Sequence, residues 1–198
     1  MSTRTARFRL VALVSIAAAG PLIALAPAEQ QGQPAAEPIQ PVAQDAEKKA
    51  ETMKLLGGLE GTWRLVQEDG SLSKETSVFK LSSAGAVVRE VMMVGEPHEM
   101  TNLYHMDGDA VVCTHYCAVG NQPRMVATKG IEATDEGPAI DFHVDSVSNY
   151  VEGQDHYMGG LKLVFVDADT VHQVWTTFDG QGGVAGQMTF VLKRDGDA

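Results

Sequence analysis

Basic side chains are scarce in this chain. Fifteen Lys and Arg stand against 26 Asp and Glu, a net charge of −11 over 198 residues. Phosphate recognition needs clustered Lys and Arg, so the balance disfavours nucleic acid, and it fits anionic membrane surfaces equally poorly. Cysteine is nearly absent: Cys113 and Cys117 are the two. If both lie in one extended strand, four residues separate their Cα atoms by about 13 Å. A disulfide needs roughly 4.4–6.8 Å, so only a tight turn beginning near Tyr116 would let them bridge.

Diagnostic motifs are missing as well. The six histidines form no His-Glu-x-x-His, and there is no Cys-x-x-Cys pair or haem-attachment Cys-x-x-Cys-His. There is no Gly-x-Ser-x-Gly nucleophile elbow. The glycine-rich run at 180–186 lies between two expected strands. It lacks the helix and the Lys-Ser or Lys-Thr of a phosphate loop, and reads as a hairpin loop at a barrel mouth. No strand–helix alternation supports a parallel sheet.

The first 28 residues read as an export signal. Arg4, Arg7 and Arg9 precede an apolar stretch at 10–25, and Ala26-Pro27-Ala28 offers small residues for cleavage before Glu29. Cleavage there leaves 12 basic against 26 acidic side chains, net −14. The expected destination is periplasmic or extracellular. Residues 29–44, rich in Gln, Pro, Ala and Glu, read as a disordered linker. One folded domain is expected over 45–194.

That domain reads as all-β after one short helix. Helix formers fill 45–56, with Asp45 as a cap and Met53, Leu55 and Leu56 as a late apolar cluster; Gly57-Gly58 ends it. Ten strands follow by alternation and turn chemistry: 61–68, 74–81, 86–94, 99–106, 110–117, 124–129, 139–147, 159–166, 171–178 and 186–193. Gly159-Gly160 marks a bulge or a close backbone approach. Closing the sheet into a single antiparallel barrel of eight to ten strands removes its edges, and a two-sheet sandwich is the competing arrangement.

A resemblance attaches to these residues. Leu59-Glu60-Gly61-Thr62-Trp63-Arg64, at the start of the first strand after a short helix, resembles the opening of lipocalin-like proteins of the calycin group. The resemblance implies that Gly61 and Trp63 sit at the closed end of the barrel. It also implies that a basic residue late in the last strand, Lys193 or Arg194, stacks on Trp63. From 99 to 125 the chain further resembles small bacterial secreted proteins of unknown function with such a barrel.

The chemistry gathers on the central hairpin. If Asp107-Gly108 is the two-residue turn, Tyr104 pairs with Val111, Asn102 with Cys113 and Met100 with His115. One face then carries Met100, Asn102, Tyr104, Val111, Cys113 and His115, and is expected to line the interior. The other carries Leu103, His105, Val112, Thr114 and Tyr116. Asn102, Tyr104, Cys113, His115, Tyr116 and Asn121 are the candidate ligand-binding residues. Trp175 is a candidate cavity wall. Glu90, Glu99, Asp141 and Asp145 could pair as acid and base, although strand carboxylates mostly face solvent. No catalytic residue or required cofactor is expected.

Two function classes follow. The first is an exported, non-enzymatic binding protein that holds a small, largely apolar ligand. The second is a metal- or haem-dependent enzyme on the same wall, with zinc or haem as its cofactor. A barrel with a filled interior, serving a structural or partner-binding role, is a third reading.

Overall fold

The computed structural model of the protein describes residues 42–196. The signal peptide expected at 1–28, and the linker as far as residue 41, lie outside the described residues. One helix, α1 (Ala46–Gly57), precedes eleven strands. These are β1 (Gly61–Val66), β2 (Leu72–Ser82), β3 (Val87–Met92), β4 (Met100–Asp107), β5 (Ala110–Tyr116), β6 (Gln122–Ala127), β7 (Ile131–Thr134), β8 (Gly137–Ser148), β9 (Tyr157–Asp167), β10 (Thr170–Phe178) and β11 (Val184–Arg194).

Every strand pairing is antiparallel, and the sheet closes on itself. β1 pairs with β11 and β6 pairs with β8, so ten strands form a ring. The eleventh, β7, is a short hairpin partner of the first residues of β8. Four residues carry too little periodicity to be read as a strand from sequence. The hairpin holds because Gly137 lies flush on β9: its φ is +139°, and a Cβ there would come within 2.2 Å of Phe165 O.

Alternation explains which residues face inward. Trp63, Phe79, Tyr104, Met125, Phe142, Leu161, Leu163 and Trp175 are all at most 1% exposed and form one contiguous core. The helix closes one end of the barrel. The Asp45 carboxylate accepts from Glu47 N and Lys48 N, and the Asp45 N–H donates to Asp109 Oδ1 in the β4–β5 turn. Leu56 and the following Leu59 pack into the core, and Trp63 Nε1 donates to Leu59 O at 2.7 Å.

Of the two basic residues at the end of β11, Arg194 is the one on the tryptophan. Its guanidinium carbon lies 4.3 Å from the Trp63 ring centroid. It donates to Gly58 O, Glu60 O and Ala168 O, and pairs with Asp169. A planar fork with several donors is what such a clamp needs.

The central hairpin differs in register from the sequence reading. Its turn is centred on Gly108-Asp109, one residue later. Tyr104 therefore pairs with Cys113, Asn102 with His115 and Asp107 with Ala110. Gly108, at φ +61°, occupies the first central position, where a II′ turn demands a positive φ. The change moves each partner by two residues, so the pleat parity and the facing assignments survive. Both cysteines are free, Cys113 buried and Cys117 half-buried. The bulge at Gly159 lies where the β9–β10 register shifts, between Gly160↔Thr176 and Met158↔Thr177.

Candidate functional site in the barrel interior

Four strands send polar side chains into the core. Glu90 on β3, Asn102 on β4, His115 on β5 and Gln173 on β10 are all 0% exposed. Glu90 stands opposite Asn102, and Asn102 opposite His115, across adjacent strand pairs. Asn102 Nδ2 and Tyr104 OH each donate to Glu90 Oε2 at 2.7 Å. Gln173 Nε2 reaches the other oxygen, Oε1, at 2.7 Å from the far side of the ring. His115 Nδ1 lies 2.7 Å from Asn102 Oδ1.

The network sets the tautomer of His115. The Asn102 amide nitrogen is used on Glu90, so its carbonyl oxygen faces the ring and accepts. Nδ1 therefore carries the hydrogen. Nε2 is left with a bare lone pair, buried and without a partner. Burial lowers the His115 pKa to about 4, so the ring is neutral near pH 7. An unpartnered acceptor in the core carries a desolvation cost of about 1–3 kcal/mol.

Burial shifts the ionisation of the neighbours as well. Burial pushes the Glu90 carboxyl up, against the opposing pull of the hydrogen bonds from Tyr104, Asn102 and Gln173. Burial, reinforced by the Glu90 charge, pushes the Tyr104 phenol and the Cys113 thiol well above their ordinary values. Cys113 is therefore a thiol, not the thiolate that nucleophilic chemistry uses. The Trp175 ring lies against His115 with centroids 4.8 Å apart, so the imidazole has an aromatic wall beside it.

Asn121 supplies a second orphan. It is 2% exposed and its Nδ2 donates to His156 O, which leaves Oδ1 a buried acceptor with no partner. It sits just before β6, where the Cys117 N–H donates to Asn121 O. The wall above it is closed by loop packing. Tyr157 stacks on Phe178 with centroids 5.4 Å apart, Tyr150 OH donates to Gly180 O, and Gly153 N–H donates to the same oxygen. The glycine-rich run is thus a turn pressed against a neighbouring loop, with no phosphate-loop geometry.

Asn102, Tyr104, Cys113 and His115 converge in the interior, whereas Asn121 lies in the β5–β6 connection, bonded to His156 O and the Cys117 N–H. Tyr116 does not join them: it points the other way and is 45% exposed. Among the four carboxylates weighed from sequence, Glu90 alone is buried. Asp145 pairs with Arg124 on the outside, Asp141 lies beside the exposed His143, and Glu99 accepts from Gly95 N in a loop. Gln173 escaped sequence reading altogether. Its signal, and that of Glu90, was a polar residue flanked at i±2 by apolar ones: Val171 and Trp175, Val88 and Met92. Among the described residues no three His, Cys, Asp or Glu gather as a metal-binding group.

Space near the cluster lies at the seam of the barrel. Only Trp63 to Leu65 of β1 pair with β11, so β11 runs on beside β10 alone. A cavity of about 20 Å³ lies there, lined by Leu65, Thr76, Ser77, Met92, Met93 and Phe190 among others. That is room for about one water. Met92 connects it to the cluster, since Asn102 Nδ2 also contacts Met92 Sδ at 3.3 Å. A groove of about 390 Å³ runs along the closed end, past Leu55, Leu59, Trp63 and Pro138. Neither orphaned acceptor lines it.

No family model matches the chain, and no match is found among curated proteins.

Proposed function

We propose that this protein is an exported, non-enzymatic binding protein of the lipocalin-like class, whose barrel interior takes a small, largely apolar molecule against the His115 wall. The observation that carries the reading is the Nε2 atom of His115. It is a buried acceptor with no partner, on a ring locked by Asn102 and walled by Trp175. A few oriented polar groups in an apolar wall are what a small-molecule site consists of. Kinship with the calycin group is supported by Gly61 and Trp63 opening β1 and by Arg194 lying on the Trp63 ring. Export is supported by the sequence pattern of residues 1–28. Entry past the seam needs Met92 to turn, and an unbranched thioether side chain does so readily.

Titration with Nile red, a neutral apolar dye, tests the reading. Saturable one-to-one binding that quenches tryptophan fluorescence is expected. A dye signal that never saturates would contradict it. A second reading rests on the Gln173–Glu90 bond, which spans the interior and, with Trp63, Trp175 and Phe142, fills much of it. On that reading the barrel is a partner-binding or structural module, and Nile red does not enter.

A further inference from the structure

The two orphaned side-chain atoms in the core are of one kind. His115 Nε2 accepts because Nδ1 holds the ring hydrogen, and Asn121 Oδ1 accepts because Nδ2 is used on His156 O. Among the described residues no buried side-chain donor is left without a partner. The missing partner is a donor.

His115 lies on β5, and Asn121 immediately precedes its neighbour β6. β5 pairs with β6 with Cys113 opposite Met125 and Thr114 opposite Arg124. Continued, that register sets Pro123 opposite His115 and Asn121 opposite Cys117, where the Cys117 N–H meets Asn121 O at 3.1 Å. His115 and Asn121 are therefore diagonal neighbours, about 7–8 Å apart with their Cβ atoms somewhat closer. One nitrogen donating to both at about 2.9 Å, with its N–H bonds about 109–120° apart, bridges acceptors about 5 Å apart.

Charge narrows the class. The buried polar residues are Thr52, Ser73, Ser77, Glu90, Asn102, His115, Asn121 and Gln173, with no Lys or Arg among them. An anionic head would meet two lone pairs and a nearby carboxyl, with no buried cation to offset its desolvation. The aromatic wall of Trp175 beside His115 suits a flat apolar body. Resting on the binding reading above, the geometry points to a ligand whose head group donates two hydrogen bonds and carries no negative charge. The simplest such ligand is a primary amine on an aromatic or aliphatic body. The barrel thus selects against carboxylates.

Three probes with one body separate the outcomes: anthracene, 1-aminoanthracene and 1-anthracenecarboxylate, each titrated into the whole protein at pH 7.5 by tryptophan quenching. The amine is expected to bind about tenfold or more tighter than anthracene, and the carboxylate more weakly than anthracene. A carboxylate that binds as well as the amine, or an amine no better than anthracene, overturns the donor inference while the binding reading stands. Failure of all three to bind removes the binding reading itself. His115→Phe and Asn121→Leu should each bring the amine and anthracene constants to within about threefold of one another. Asn121, in the β5–β6 connection, is the safer variant should the core substitution fail to fold. A tenfold amine preference that persists in folded Asn121→Leu would also overturn the pairing.

Discussion

His115 is where the chemistry and the energetics meet. Its folded pKa of about 4 lies below the unfolded 6.5, so the unfolded chain takes up a proton first as pH falls. The stability this ring contributes is complete above pH 6.5 and is lost between 6.5 and 4. The full loss is about 3 kcal/mol, from the cost per pKa unit. Glu90 acts in the opposite sense: with its pKa raised above 4.5, stability falls as pH rises from 4.5 through the folded value. Comparing urea unfolding of wild type and His115→Phe across pH removes the Glu90 share. The difference should shrink by that amount toward pH 4, whereas a difference independent of pH would contradict the buried neutral ring. Glu90→Gln tests the network itself. Its amide N–H₂ must face either Asn102 Nδ2 or Gln173 Nε2, both donors. A loss of about 1–3 kcal/mol is expected in urea unfolding, and no loss would mean that the three bonds are dispensable. His115, Asn102, Tyr104 and Cys113 were legible in sequence because alternation needs only parity. Glu90 was one of four carboxylates that sequence could not tell apart, and Gln173 did not stand out, because a carboxylate or amide on a strand ordinarily faces water. The bond that joins them, Gln173 Nε2 to Glu90 Oε1, forms only once the ring has closed.

At the scale of the element, the β4–β5 hairpin shows why face and register are separate questions. The Asp-Gly pair invites a turn centred on itself, yet the turn falls on Gly108-Asp109. Moving the turn by one residue changes each pairing partner by two, so the inward set keeps its face. Thiol labelling reads that face directly. A small aromatic disulfide reagent should titrate at most Cys117 in the native protein and reach Cys113 only after denaturation; prompt reaction of both would place β5 the other way round. The closed end is a second element-scale device. Arg194 joins the last strand to the ring of Trp63 and to three carbonyls, holding the helix exit, β1 and the β9–β10 turn together. Arg194→Lys keeps the charge but loses the fork. It should lower stability by about 1–2 kcal/mol, and a melting temperature equal to wild type would show that the clamp is ornamental. The short helix was legible through Asp45 and its late leucines. The strand β7 was not, since four residues hold only when Gly137 lets the backbone lie on Phe165.

The described residues form a ten-strand ring that closes on itself, with the helix at one end and the loop cluster around Tyr157 and Phe178 near the other. Ten alternating segments with short turns made this architecture readable, because a sheet with one buried face all round has few other ways to close. The filling of the interior was not readable. Which side chains meet across the ring depends on tilt and stagger, which no single strand encodes. The function proposed here depends on that filling having one polar opening, the lone pair on His115. Nitrogen-15 NMR of the histidine rings at pH 7, with and without saturating 1-aminoanthracene, tests this most directly. Hydrogen on Nδ1 and none on Nε2 is expected in the free protein, with the Nε2 signal moving on addition of the amine while Nδ1 stays bonded to Asn102. A His115 ring protonated on Nε2, or an Nε2 signal unmoved by the amine, would contradict it.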